Sequence, residues 1–240
     1  MELTPEEREI QEAALAFARK NKKTIAKWHT DKTRFTPEDE PVSVFMAGSP
    51  GAGKTEASIE LLANVEESGC EILRIDPDEL RHEFPNYTGD NSFLFQKGVS
   101  VLVEKIHDLA LSQKQSFLLD GTLSHYEKAE QNITRSLSKG RVVQLIYVYQ
   151  EPQLAWEFVK AREAVEGRRI NPEHFIEQYF AARRVVDRLK DKFGTDVRVD
   201  LLLKNTDNSN KLYKAGIDQI DNHIPEKYTT VDLEQLLGLV

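Results

Sequence analysis

Gly48-Ser49-Pro50-Gly51-Ala52-Gly53-Lys54-Thr55 matches G-x-x-x-x-G-K-[ST] in full, a pattern in which each residue type has a chemical task. The glycines let successive backbone N–H groups turn inward around phosphate oxygens. Lys54 brings a positive charge to the β- and γ-phosphates of a nucleoside triphosphate, and the Thr55 hydroxyl offers a ligand to Mg²⁺. A helix beginning here aims its positive end at the same anion.

Other charged groups extend this chemistry. Asp76-Pro77-Asp78-Glu79 follows the apolar run Ile72 to Ile75. Asp76 reads as a helix cap, Pro77 as the first helical residue and Glu79 as the closing acid of a capping box. That leaves Asp78 ionised and unneeded for capping. It can orient an acceptor hydroxyl and finally take its proton; the plainer alternative is a solvated first-turn acid. Asp120 ends the run Phe117-Leu118-Leu119, where it can hold Mg²⁺ through water, grip a substrate hydroxyl, or serve only as a turn acid. Arg162, Arg168 and Arg169 flank Glu166-Gly167 just before Pro172. Guanidinium groups on such a segment can close over a γ-phosphate, or lie solvated at a helix end.

These residues also sort the reaction classes. A GTPase reads guanine with N-K-x-D, but Leu203-Lys204-Asn205-Thr206-Asp207 has those residue types in the wrong order. A mechanical ATPase ends a strand in paired acids, whereas Asp120 stands alone before Gly121-Thr122. Transfer to a small acceptor is the reading these residues favour, with a nucleotide-dependent switch left open.

The elements that must position these groups follow an α/β pattern. Apolar runs at 42–47, 72–75, 116–120, 142–149 and 197–203 show little in-and-out alternation. They are expected as strands of a parallel sheet buried on both faces. Helices are expected at 54–68, 91–113, 124–138, 153–166, 173–193 and 229–237. Thr4-Pro5-Glu6-Glu7 reads as a capping box, and Ile10, Ala13, Ala14 and Phe17 continue at helical spacing, so a helix is expected over 4–21. Residues 1–40 read as a helical appendage and 41–240 as the main domain. The appendage either completes the core, inhibits the site in cis, or offers a docking face.

Composition limits the partners. The chain has 240 residues, a net charge of −8, 40 % hydrophobic and 30 % charged residues. Such an acidic chain suits neither general nucleic-acid binding nor a nonspecific anion surface. Cys70 is the single cysteine, so no disulfide or thiolate metal cluster is expected. The histidines (29, 82, 107, 125, 174 and 223) never fall at metal-ligand spacing and read as surface or core residues. No apolar run reaches membrane-spanning length and the N-terminus is acidic, so a cytoplasmic location is expected.

With these motifs together, the chain resembles the zeta toxin family, UDP-N-acetylglucosamine kinases of toxin–antitoxin systems, from about Val42 to Lys204. The resemblance is carried by the phosphate loop, by Ile75-Asp76-Pro77-Asp78 with Arg81 and Pro85-Asn86-Tyr87, and by Asp120-Gly121-Thr122. Glu104, Arg162 and Arg169 complete it. It implies a P-loop kinase fold with a five-stranded parallel core, ATP and Mg²⁺ as cofactors, and a helical antitoxin as a possible protein partner. It also implies that Asp78 activates the 3′-hydroxyl of the amino sugar, that Glu104, Asp120 and Thr122 lie at the acceptor, and that Arg162 and Arg169 contact the transferred phosphate. So acidic a pocket needs Arg81 or a nearby Lys to meet the diphosphate of a sugar nucleotide. Phe84 stands where the family usually has His, and Asp120 where it usually has Glu. An antibiotic, nucleotide or cofactor kinase, and a nucleotide-dependent switch acting on a protein, remain the alternatives.

Overall fold

The computed structural model describes residues 3–67, 69, 71–167, 170–224 and 227–239. In chain order it builds α1 (Pro5–His29), β1 (Val42–Ala47), α2 (Lys54–Glu66), β2 (Leu73–Ile75), α3 (Gln96–Ser112), β3 (Phe117–Leu119) and α4 (Tyr126–Leu137). There follow β4 (Val142–Tyr149), α5 (Pro152–Glu166), α6 (Pro172–Phe193), β5 (Val197–Lys204), β6 (Asn210–Lys214) and α7 (Thr230–Leu236). The sheet order is β2-β3-β1-β4-β5-β6, with the first five strands parallel and β6 antiparallel to β5.

The five expected strands thus form the parallel core, and the protein is an α/β P-loop fold. The sixth strand escaped the sequence because Asn210 to Tyr213 are exposed. An edge strand packed on neither face carries no apolar signature. Strand alternation splits the core in two. Phe45, Ala47, Phe117, Leu145, Tyr147, Val199 and Leu201 lie on the side covered by α3, α4 and α6, with α1 packed on α3. Val44, Met46, Leu118, Ile146, Val148 and Leu202 face α2, whose Ala57 and Leu62 cover them. Both faces are buried, which is why these runs read as continuously apolar.

Thr4 caps α1 as expected. Its hydroxyl accepts the Glu7 N–H, and the Glu7 carboxylate accepts the Thr4 N–H. The helix continues past the expected end at 21 because lysine is a good helix former and Ile25 and Ala26 prolong the buried stripe of Ala14 and Ala18. It packs along α3 at Gly98. A Cβ there would lie 2.8 Å from the Phe84 ring and 3.2 Å from the Ala14 carbonyl oxygen. Among the described residues, no helix is long and apolar enough to cross a membrane.

Candidate functional site

The phosphate loop follows β1 and opens α2, so the strand–loop–helix order required by its chemistry is present. Gly51 and Gly53 adopt φ of 71° and 82°, the left-handed region where a side chain is strained. Space is also short: a Cβ on Gly51 would lie 2.0 Å from the Ala155 carbonyl oxygen, and one on Gly48 would lie 2.4 Å from that of Val148. With Ser49, Pro50 and Ala52, these glycines bend the loop around the start of α2. Lys54 Nζ lies over the loop and donates to the carbonyls of Gly48 (3.1 Å) and Ser49 (2.6 Å).

A cleft of 620 Å³ opens above this loop. Lys54, Thr55, Asp78, Arg81, Asp120, Thr122 and Arg162 all line it. They arrive from the ends of β1, β2 and β3 and from α5, the edge of a parallel sheet where ligands bind. Arg162 is held beside the phosphate-loop helix by Glu56, at 3.0 Å. Arg169 lies outside the described residues, as do Arg168 and Cys70. Glu104 is exposed on α3 and does not line the cleft. Gln96, two turns nearer the start of that helix, does. Two helical turns separate Glu104 from the end of α3 that meets this cleft.

The turn after β2 also differs from expectation. Asp76 does accept the Asp78 N–H, at 2.7 Å. Glu79 does not close a capping box; it pairs with Arg74 at 2.5 Å, and a 3-10 turn over Glu79–Glu83 replaces the α-helix. The segment is short because Pro85 disfavours helical backbone at Phe84. Asp78 is neither free nor a cap, since its Oδ1 accepts from Arg81 NH1 at 2.6 Å. Arg81 is buried, and its Nε lacks a partner among the described residues. Phe84 stays out of the cleft, buried against the rings of Phe17 and Phe95 at 5.5 and 5.4 Å.

Asp120 is buried, with Oδ2 3.0 Å from Ser58 Oγ and 2.8 Å from Arg74 NH2. Oδ1 receives no hydrogen bond among the described residues and belongs to the cleft wall that includes Thr55. A carboxylate oxygen and a threonine hydroxyl on one wall form an oxygen donor set that suits a hard divalent cation completed by water and phosphate. Arg74 serves two buried acids at once. Burial first, then the charge of Asp120, pushes the Asp76 carboxyl up to about 6 against the pull of Arg74. Burial works against the Arg74 charge, but Asp120 and Asp76 hold its pKa above the ordinary value.

The sequence reading missed Arg74 and the cleft side chains Phe93, Gln96, His125, His174 and Gln178. Two histidines read as surface or core residues therefore belong to the cleft wall, His125 just after Thr122 and His174 in the first turn of α6. His107 is a core histidine, stacked edge-on against Phe45 and Phe117. Burial, then Arg135 and Arg141, lowers its pKa to about 3, so it is neutral.

The fold recurs in solved structures. A chain from the PezAT chromosomal toxin–antitoxin system of Streptococcus pneumoniae aligns with TM-score 0.59 at 18 % identity, covering 99 % of this chain and 94 % of that one. The AvrRxo1-ORF1:AvrRxo1-ORF2 structure with sulphate ions gives 0.60 at 18 %, covering 91 % and 72 %. The same pair with ATP gives 0.58 at 19 %, covering 87 % and 66 %. A search of curated proteins finds no match. The zeta toxin family profile matches residues 25–218, well over half of the chain and the whole of the cleft-bearing sheet edge. The chain belongs to the zeta toxin family, kinase-like toxins of toxin–antitoxin systems.

Proposed function

We propose that the protein is an ATP- and Mg²⁺-dependent kinase that phosphorylates a hydroxyl of a small molecule, with UDP-N-acetylglucosamine or a related UDP-amino sugar as the acceptor. One observation carries the reading: a phosphate loop, three carboxylates (Asp76, Asp78 and Asp120) and two arginines line a single cleft. In this reading the loop Gly48 to Thr55 cradles the triphosphate and Lys54 leaves the loop carbonyls for the phosphates. Thr55 and Asp120 would hold Mg²⁺ through oxygen ligands, and the ion would supply positive charge against that developing on the phosphates. Asp78 orients the acceptor hydroxyl and takes its proton late in the transfer, and its pairing with Arg81 holds the carboxyl group in place beforehand. Arg162 exchanges Glu56 for the transferred phosphate, and Arg169 is proposed to join it.

The acceptor assignment rests on the family and on the lining of the cleft. Thr122, Gln96 and Asp78 offer hydrogen-bond acceptors to a polyol, as a sugar requires. Arg81 supplies a cation for an anionic group, which a sugar nucleotide has and an aminoglycoside lacks. A helical antitoxin is the proposed partner, in keeping with the toxin–antitoxin system of the PezAT neighbour, and the cytoplasm is the proposed compartment. The test is a panel of UDP-sugars, free sugars, nucleotides and aminoglycosides with ATP and Mg²⁺, read by product mass. Phosphorylation of a UDP-amino sugar at a rate at least about tenfold above the other members is expected, the discrimination of one well-placed charged contact. Products from aminoglycosides or free sugars alone would contradict the acceptor and leave the kinase standing.

A further inference from the structure

Strand alternation explains why Arg74 is unusual. Leu73 and Ile75 on β2 point into the large core, so Arg74 points to the opposite face, toward α2. An apolar residue could pack there. Instead a nearly buried guanidinium makes four contacts: Nε to Ser58 Oγ at 2.9 Å, NH1 to Glu79 at 2.5 Å, and NH2 to Asp76 at 2.5 Å and Asp120 at 2.8 Å. Ser58 Oγ lies 2.8 Å from the Thr55 carbonyl oxygen, and Asp76 accepts the Asp78 N–H.

Each acid assigned a task in the cleft is thus within two contacts of one side chain. Asp120 is bound directly; Asp78 follows through Asp76 and through the turn that Glu79 anchors. We infer that Arg74 is a positioning residue for phosphoryl transfer: its guanidinium fixes Asp120 and the Asp78-bearing turn in one arrangement at the foot of the phosphate-loop helix. The inference rests on the kinase reading above. The chemistry requires Arg in particular, because the planar fork presents donors in several fixed directions whereas lysine offers one point charge on a flexible stem. Stability is a poor alternative reason for the cluster, since buried ion pairs are often no better than apolar packing of equal volume.

Arg74→Met and Arg74→Lys test this with Asp120→Asn as the second member of a double-mutant cycle. Rates are taken per folded molecule, and KM for ATP is measured separately. Arg74→Met is expected to lower kcat at least about tenfold with KM for ATP changed by less than about threefold, the pattern of an interaction lost in the transition state. Arg74→Lys is expected to regain only part of that loss. The double variant is expected to match Asp120→Asn within about threefold, because residues acting through one another are not additive. Multiplying losses, or an unchanged kcat in folded Arg74→Met, would overturn the role.

Hydrogen exchange provides an arm that needs no activity. The amides of Asp78 and Leu80, which donate to Asp76, are expected to exchange at least about tenfold faster in both variants, with α6 unchanged. Unchanged exchange at those amides would overturn the inference. If the wild-type protein transfers no phosphate, the kinase reading fails, and with it the role of Arg74 in transfer.

Discussion

Lys54→Ala is expected to give a folded protein with weakened ATP binding and turnover reduced by about a thousandfold, the scale of losing one aimed charge at a developing anion. Lys54 begins α2, where alanine is at least as good a helix former. It belongs to neither apolar cluster, so its removal leaves no cavity. It donates to the carbonyls of Gly48 and Ser49, on the loop it is proposed to serve. Thermal unfolding reports the fold, and calorimetry with MgATP reports the binding. Undiminished turnover in the folded variant would remove Lys54 from the reaction.

Asp78→Asn is expected to keep MgATP affinity near the wild-type value while lowering acceptor phosphorylation by at least about a hundredfold, the low end of acid–base contributions. An amide can still hydrogen-bond the acceptor and Arg81, but it cannot take a proton. The Arg81 pairing sharpens the comparison, because the same substitution removes the charge partner of a buried guanidinium. Steady-state rates and the melting temperature separate the two effects. A lower melting temperature with transfer intact would make Asp78 the structural partner of Arg81 and nothing more.

The phosphate loop was legible because its requirements are local: left-handed glycines, a preceding strand and a helix beginning at Lys54. The five inner strands were legible because burial on both faces leaves unbroken apolar runs. Arg74 was not. It stands alone in an apolar run, and its partner Asp120 lies far along the chain on another strand. Only the pairing of β2 with β3, with Ile75 opposite Leu119, brings the two side by side. Glu104 has the right residue type, but it is exposed on α3 two turns beyond Gln96, which does line the cleft, and such a displacement along a helix cannot be read from residue type. At Asp76-Pro77-Asp78-Glu79 the capping pattern was genuine in its first half. In the second half Glu79 pairs with Arg74 instead of the cap backbone.

The central claim is that a phosphoryl group leaves ATP for a small molecule in the cleft above Lys54. The most direct measurement incubates the protein with γ-labelled ATP, Mg²⁺ and a metabolite extract, then identifies the labelled product by mass. The account predicts a labelled small molecule that forms only with extract present and vanishes with Lys54→Ala. Label found only as free phosphate or on protein, whatever the extract, would contradict it.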